Sequence, residues 1–164
     1  MLSIQTFGTL RVTRDGEEIR LPASRKTRAL LGYLAIGGTM QRRDRLCELF
    51  WDIPDDPRGA LRWSLSKLRP VVNGADETRL VADRERVQID ASLLDVDFHQ
   101  VREVANGNEA SVEALTRAWE MASGLILEDC ELPNQPAFAA WLEQQRNEAV
   151  RLRVRLARRL AVHP

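Results

Sequence analysis

The change in hydrophobic period near Asp90 constrains this chain more than any other feature. Before it, strand-like segments are interleaved with segments of helical period; after it only helical patterns occur, at about 97–105, 109–123 and 137–160. That change predicts two units, 1–94 and 95–164, which a chain of 164 residues is long enough to hold.

The first unit opens with three short strands, one around Ile4, Thr6 and Phe7, one at 10–13 and one at 19–21. Asp15-Gly16 joins the last two as a hairpin turn, because glycine tolerates the positive φ such turns require. Ser24 then caps a helix that buries Leu30, Leu31 and Leu34 and ends at Gly37-Gly38. A second helix at 43–51 carries Leu46, Leu49 and Phe50 on one side, and Pro54 and Pro57 bracket the break after it. A third begins near Arg58 and places Leu61, Leu65, Leu68 and Val72 at i, i+4, i+7 and i+11, one buried stripe. Residues 80–82 and 87–89 read as a β-hairpin around Asp83-Arg84-Glu85-Arg86.

The outward side of the third helix is the candidate site. Residues 57–72 include four basic side chains and no acidic one, and Arg58, Arg62 and Arg69 fall within one broad stripe. Three helices with a basic outer face on the third, then a hairpin, is a layout in which a recognition helix enters the major groove and the hairpin reaches flanking backbone. A bidentate Arg–guanine pair discriminates by about 1–3 kcal/mol. A solvated helix surface has the same composition, so the face alone leaves both readings open. Trp63, opposite Leu61 and Leu65, needs cover from a loop, a partner or nucleic acid, and packing against the hairpin or a neighbouring helix is its expected role. Arg42, Arg43 and Arg45 sit at the start of the second helix, where N–H groups and the helix dipole favour a phosphate, although Asp44 neutralises part of that charge. Arg84 and Arg86 at the hairpin tip are diluted by Asp83 and Glu85.

Other classes fare worse. A net formal charge of zero argues against binding by bulk charge. All basic residues except Lys26 and Lys67 are arginine, whose fork suits phosphate and guanine. Cys47 and Cys130 are too isolated for a disulfide framework or a metal site, and His99 and His163 read as surface residues. No nucleophile–base pair, carboxylate pair, phosphate loop or ligand cluster appears, so no catalysis, metal or cofactor is expected. Without a signal peptide or an apolar run of membrane length, the expected location is the cytoplasm, at the nucleoid when DNA is bound, with no membrane partner.

Taken in order, several of these residues resemble a known family. Phe7-Gly8, Leu10-x-Val12 and Asp15-Gly16 begin the match, and Arg28-Ala29-Leu30-Leu31 continues it. Arg43-Asp44-Arg45-Leu46 with Leu49 and Trp51, Ala60-Leu61, and Ser66-Lys67-Leu68-Arg69 are its clearest parts. Asp95-Val96-Asp97 with Phe98, then Gly124, Leu125 and Leu127, and Trp141-Leu142-Glu143 with Arg146 extend it along most of the chain. The pattern is similar to bacterial transcriptional activators of the antibiotic-regulatory-protein (SARP) type, which join an OmpR-like winged helix to a bacterial transcriptional activator domain (BTAD).

The resemblance implies an α+β winged helix-turn-helix at 1–94, followed by the start of an all-α, TPR-like helical domain at 95–164. It implies base reading by Arg58, Arg62, Trp63 and Lys67, and phosphate holding by Arg43, Ser66 and Arg69, to which the charge pattern adds Arg42, Arg45, Arg84 and Arg86. The implied partners are promoter DNA, with direct repeats as sites for two copies, and RNA polymerase. Two departures stand out: Arg42 replaces the usual Ser or Thr helix cap, and Arg86-Val87 replaces the wing's usual Gly-Tyr. The first strand starts almost at Met1, so no preceding receiver domain is expected.

In the second unit, Val112, Leu115, Trp119 and Ala122 form one apolar stripe, and Phe138, Trp141, Leu142, Ala149, Leu152, Leu156 and Leu160 a longer one, so two helices can pair. Stacked repeats need neighbours, so further helix pairs are expected beyond Pro164. The basic run from Arg151 to Arg159 reads as the solvated side of the last helix. The rival function is a protein-interaction module whose winged helix is architectural and does not bind DNA.

Overall fold

The computed structural model describes residues 1–51 and 56–164. β1 (Leu2–Gln5), β2 (Arg11–Arg14) and β3 (Glu17–Ile19) form an antiparallel meander in which Val12 lies opposite both Ile4 and Ile19. Asp15 (φ 51°) and Gly16 (φ 85°) are both left-handed, the geometry that lets a two-residue turn follow the strand twist. Thr6 and Phe7, expected in the first strand, lie beyond its end. Their N–H groups donate to the Asp97 carboxylate at 2.8 and 3.0 Å, which takes the place of ladder partners. Leu10 and Leu21 likewise fall just outside β2 and β3.

α1 (Arg25–Gly37) begins where Ser24 Oγ accepts from Thr27 N and ends at Gly38 (φ 66°), whose N–H donates to Leu34 O. It buries Leu30, Leu31 and Leu34 as the period predicts. A two-residue strand, β4 (Gln41–Arg42), leads into α2 (Arg43–Phe50), which Trp51 closes rather than extends. α3 (Pro57–Val72) starts where the Asp56 carboxylate accepts from Gly59 N at 2.9 Å, with Pro57 in the first turn. It buries Leu61, Leu65, Leu68 and Val72. Pro54, expected to bracket this break, lies outside the described residues.

β5 (Leu80–Ala82) and β6 (Arg86–Ile89) form the hairpin, and β4 pairs with β6 to make a second sheet in the order β4-β6-β5. β7 (Asp95–Val96) joins β1 in parallel, so the segment around the change of period is a fourth strand of the first sheet. Strands of two residues leave no readable period. The remaining helices are α4 (Asp97–Asn106), α5 (Val112–Met121) and α6 (Pro136–Ala161). α5 starts at Val112, where its apolar stripe begins, rather than near residue 109, because Ser111 caps it, accepting from Ala114 N at 3.1 Å.

The helical half packs back onto the first. Tyr33 from α1 and Phe50 from α2 meet Trp141 and Phe138 from α6, with ring centroids 4.7 and 5.0 Å apart. The loop 124–128 pairs with residues 6–8 through Gly8 N to Leu125 O, Leu127 N to Thr6 O and Glu128 N to Gly8 O, all within 3.0 Å. One apolar cluster therefore runs from Leu2 to Leu156.

Some expectations about single residues change accordingly. His99 is half-buried rather than a surface residue, and its Nε2 lies 2.8 Å from Ile36 O, tying α4 to the end of α1. Within the stripe on α5, Leu115 and Ala122 are buried but Val112 and Trp119 are exposed. The basic run on α6 divides: Arg151 and Arg158 are solvated, whereas Arg155 reaches Asn106 and Arg159 donates to the carbonyls of Val104 and Ala105.

Candidate nucleic-acid interface

α3 presents its polar face because its other face is committed to the core: Leu61, Leu65 and Leu68 are buried while Arg58, Arg62, Trp63, Ser66, Lys67 and Arg69 are exposed. The fold brings five of the arginines singled out from the sequence into two adjoining clefts. Arg43, Arg58, Arg62 and Arg84 line one, of about 510 Å³, and Arg42, Arg43, Arg58 and Arg84 line the other, of about 310 Å³. The start of α2, the first half of α3 and the hairpin tip thus share one cationic concavity. The pairing of Arg42 with Arg86 across β4 and β6 produces this junction, and no local sequence signal marks it.

The hairpin tip is locked in place. Asp83 Oδ1 accepts from Glu85 N at 2.8 Å and Arg86 N at 2.7 Å. Those two bonds, with the Arg86 and Arg43 charges, hold the Asp83 carboxyl below the usual carboxylate range. Arg43 binds the tip to α2 twice, its Nε donating to Asp83 O at 2.8 Å and its backbone N to Glu85 O at 2.7 Å. That backbone N–H at the helix start is consequently occupied.

Asp44, expected to neutralise the arginines at the start of α2, pairs instead with Arg58 of α3. Arg58 Nη2 lies 2.7 Å from Asp44 Oδ1, an exposed pair across the cleft mouth, and nothing in the spacing of residues 44 and 58 foretells it. Exposed pairs of this kind contribute at most about 1 kcal/mol, so Asp44 holds Arg58 only weakly. Arg45 pairs with Glu48 at 3.5 Å and Arg86 with Asp83 at 4.0 Å, both at the surface.

The other sequence-selected residues lie outside the clefts. Trp63 is 51 % exposed with the Lys67 ammonium 5.5 Å from its ring centroid, which corrects the expectation that it packs away against the hairpin or a neighbouring helix. Ser66 Oγ donates to Trp63 O within the helix, and Arg69 stands exposed in the last turn. No group of three His, Cys, Asp or Glu side chains able to hold a metal occurs among the described residues. Nor, among them, is any helix long and apolar enough to cross a membrane.

No protein-family model matches the chain, and no curated protein does. Among solved structures, its fold is similar to that of EmbR from Mycobacterium tuberculosis. The TM-score is 0.68 at 20 % sequence identity, and that EmbR structure is a complex with a low affinity phosphopeptide. The likeness covers 92 % of this chain and 43 % of the EmbR chain, so this chain spans less than half of EmbR's length. What it shares with EmbR is the mixed α/β arrangement of small sheets and six α-helices, running through both halves of the chain.

Proposed function

We propose that this chain is a sequence-specific DNA-binding transcriptional regulator of the SARP type. In this reading residues 1–94 are an OmpR-like winged helix, with α3 lying in the major groove and the β5–β6 hairpin acting as the wing on flanking backbone. Residues 95–164 begin a BTAD-like, TPR-like interaction domain. The observation that carries the reading is the convergence of Arg43, Arg58, Arg62 and Arg84 at the meeting point of α2, α3 and the hairpin, beside a helix face with no carboxylate of its own. The fold shared with EmbR and the sequence resemblance to SARP regulators support it.

The roles follow from position. Arg58 and Arg62, with Trp63 and Lys67 farther round α3, face base edges, where arginine forks pair with guanine. Arg42, Arg43, Arg45 and Arg84, with Ser66, Arg69 and Arg86 at the margins, face phosphates and set register. Because Arg43 already ties the hairpin to α2, its loss also loosens the wing.

The test is fluorescence anisotropy over a salt series, with promoter DNA from upstream of the gene and a scrambled duplex. Arg62→Ala is expected to cost about 1–3 kcal/mol, mainly on the true site, while affinity falls steeply with salt. Failure to bind either duplex at low salt would replace this reading with that of an interaction module whose winged helix is architectural.

A further inference from the structure

Arg58 stands at the centre of the cationic concavity, because with Arg43 and Arg84 it lines both clefts. Its situation differs from that of Arg43, whose Nε donates to a backbone carbonyl, Asp83 O, and which therefore keeps its full charge. Arg58 instead has its charge answered: Nη2 donates to Asp44 Oδ1 at 2.7 Å, inside the cleft that Asp44 itself helps to line. Asp44 comes from the first turn of α2 and Arg58 from the first turn of α3, so the pair bridges the starts of two helices. The two side chains are 67 % and 60 % exposed, Arg58 and Asp44 respectively, so the pair faces whatever enters the cleft.

Pairing changes what Arg58 can bind. A free guanidinium is drawn to any phosphate, and every duplex presents phosphates whatever its sequence. Together Asp44 and Arg58 carry no net charge, so most of that attraction is cancelled, and a phosphate set against Arg58 also comes close to the carboxylate. Guanine O6 and N7 are different, because they are neutral acceptors. Arg58 spends one of its five N–H donors on Asp44, and the remaining ones are open to a base edge. The carboxylate therefore penalises one ligand of Arg58 and spares the other.

We propose that Asp44 is a specificity-determining residue, which neutralises Arg58 so that this side chain is barred from phosphates and reserved for guanine. The inference rests on the reading of α3 as the recognition helix. Asp44 acts by making the wrong contact unfavourable rather than by adding a right one.

Anisotropy titrations of the wild type, Asp44→Asn, Arg58→Ala and the double variant test this, with the promoter duplex and the scrambled duplex over a salt series. Asp44→Asn removes the charge and keeps the shape of an exposed side chain. It is expected to tighten binding to the scrambled duplex about three- to fivefold, the ceiling being the weakness of an exposed ion pair. The salt slope on that duplex is expected to steepen by up to about 0.9, the increment of one phosphate contact. Binding to the promoter duplex is expected to tighten less than about twofold, so discrimination falls. In the Arg58→Ala background the same substitution is expected to tighten both duplexes alike. Unchanged or improved discrimination by Asp44→Asn overturns the proposal and leaves the DNA reading standing. So does an equal loss of discrimination in the Arg58→Ala background, where bulk charge rather than Arg58 is the cause. A wild type that binds neither duplex, or both equally, overturns the DNA reading itself and the proposal with it.

Discussion

Replacing Asp97 by alanine tests how the two halves are joined. Asp97 is the first residue of α4, and its carboxylate reaches from the end of β7 to the chain just past the end of the neighbouring β1. Oδ1 accepts from Thr6 N at 2.8 Å and Thr6 Oγ1 at 2.6 Å, and Oδ2 accepts from Phe7 N at 3.0 Å. Thr6 is fully buried and Phe7 nearly so, so water cannot replace these partners without opening the end of β1. The Thr6 hydroxyl can rotate towards another acceptor, but the two backbone N–H groups cannot. Each buried donor left unpaired costs about 1–3 kcal/mol, so Asp97→Ala is expected to lose about 2–6 kcal/mol, and more than a typical surface substitution in any case. Asp97→Asn keeps one acceptor oxygen and turns an NH2 group towards the other donor, so about half that loss is expected. Urea unfolding followed by circular dichroism measures both. A loss below about 1 kcal/mol for the alanine variant, or an asparagine variant as stable as the wild type, refutes the account of this carboxylate as the clamp between sheet and helical half.

Asp44→Asn frees Arg58 and removes a negative charge from the cleft; DNA affinity is expected to rise, by up to about fivefold, and a fall would mean that Asp44 orients Arg58 productively. Gly32→Ala places a Cβ 2.7 Å from two carbons of Leu127, a residue itself held at φ 50°; overpacking of about 1–3 kcal/mol outweighs the gain in helix propensity of about 1 kcal/mol, and a more stable variant in urea would contradict this. Burial pushes the Cys130 thiol up to about 12. The thiolate is the reactive form, so in a Cys47→Ser background Cys130 is expected to resist a disulfide reagent at pH 8 until urea unfolds the chain; rapid labelling of the folded protein would show that the loop around it opens.

The helices of the first half and both hairpins were legible because each is written locally. The Leu61, Leu65, Leu68, Val72 stripe, the Ser24 cap with Gly38, and the Asp15-Gly16 turn place their signals within a few residues of the structure they make. The same locality made the basic face of α3 visible. The exposure of Trp63 is not legible there, because it depends on which neighbours reach the side chain, and its own helix holds no information about that.

The amino-acid sequence by itself determined where chain direction changes and which face of each helix is apolar, since both follow from turn chemistry and periodicity over one or two turns. Tertiary structure alone decided that β4 and β7 exist, that Asp97 clamps Thr6 and Phe7, and that Phe138 and Trp141 close onto Phe50 and Tyr33. It also decided that Arg43, Arg58, Arg62 and Arg84 share one cleft, with Asp44 at its mouth. These contacts join residues tens of positions apart, and their partners are chosen by burial, charge and unsatisfied backbone groups once the chain has closed, a choice that no local pattern encodes.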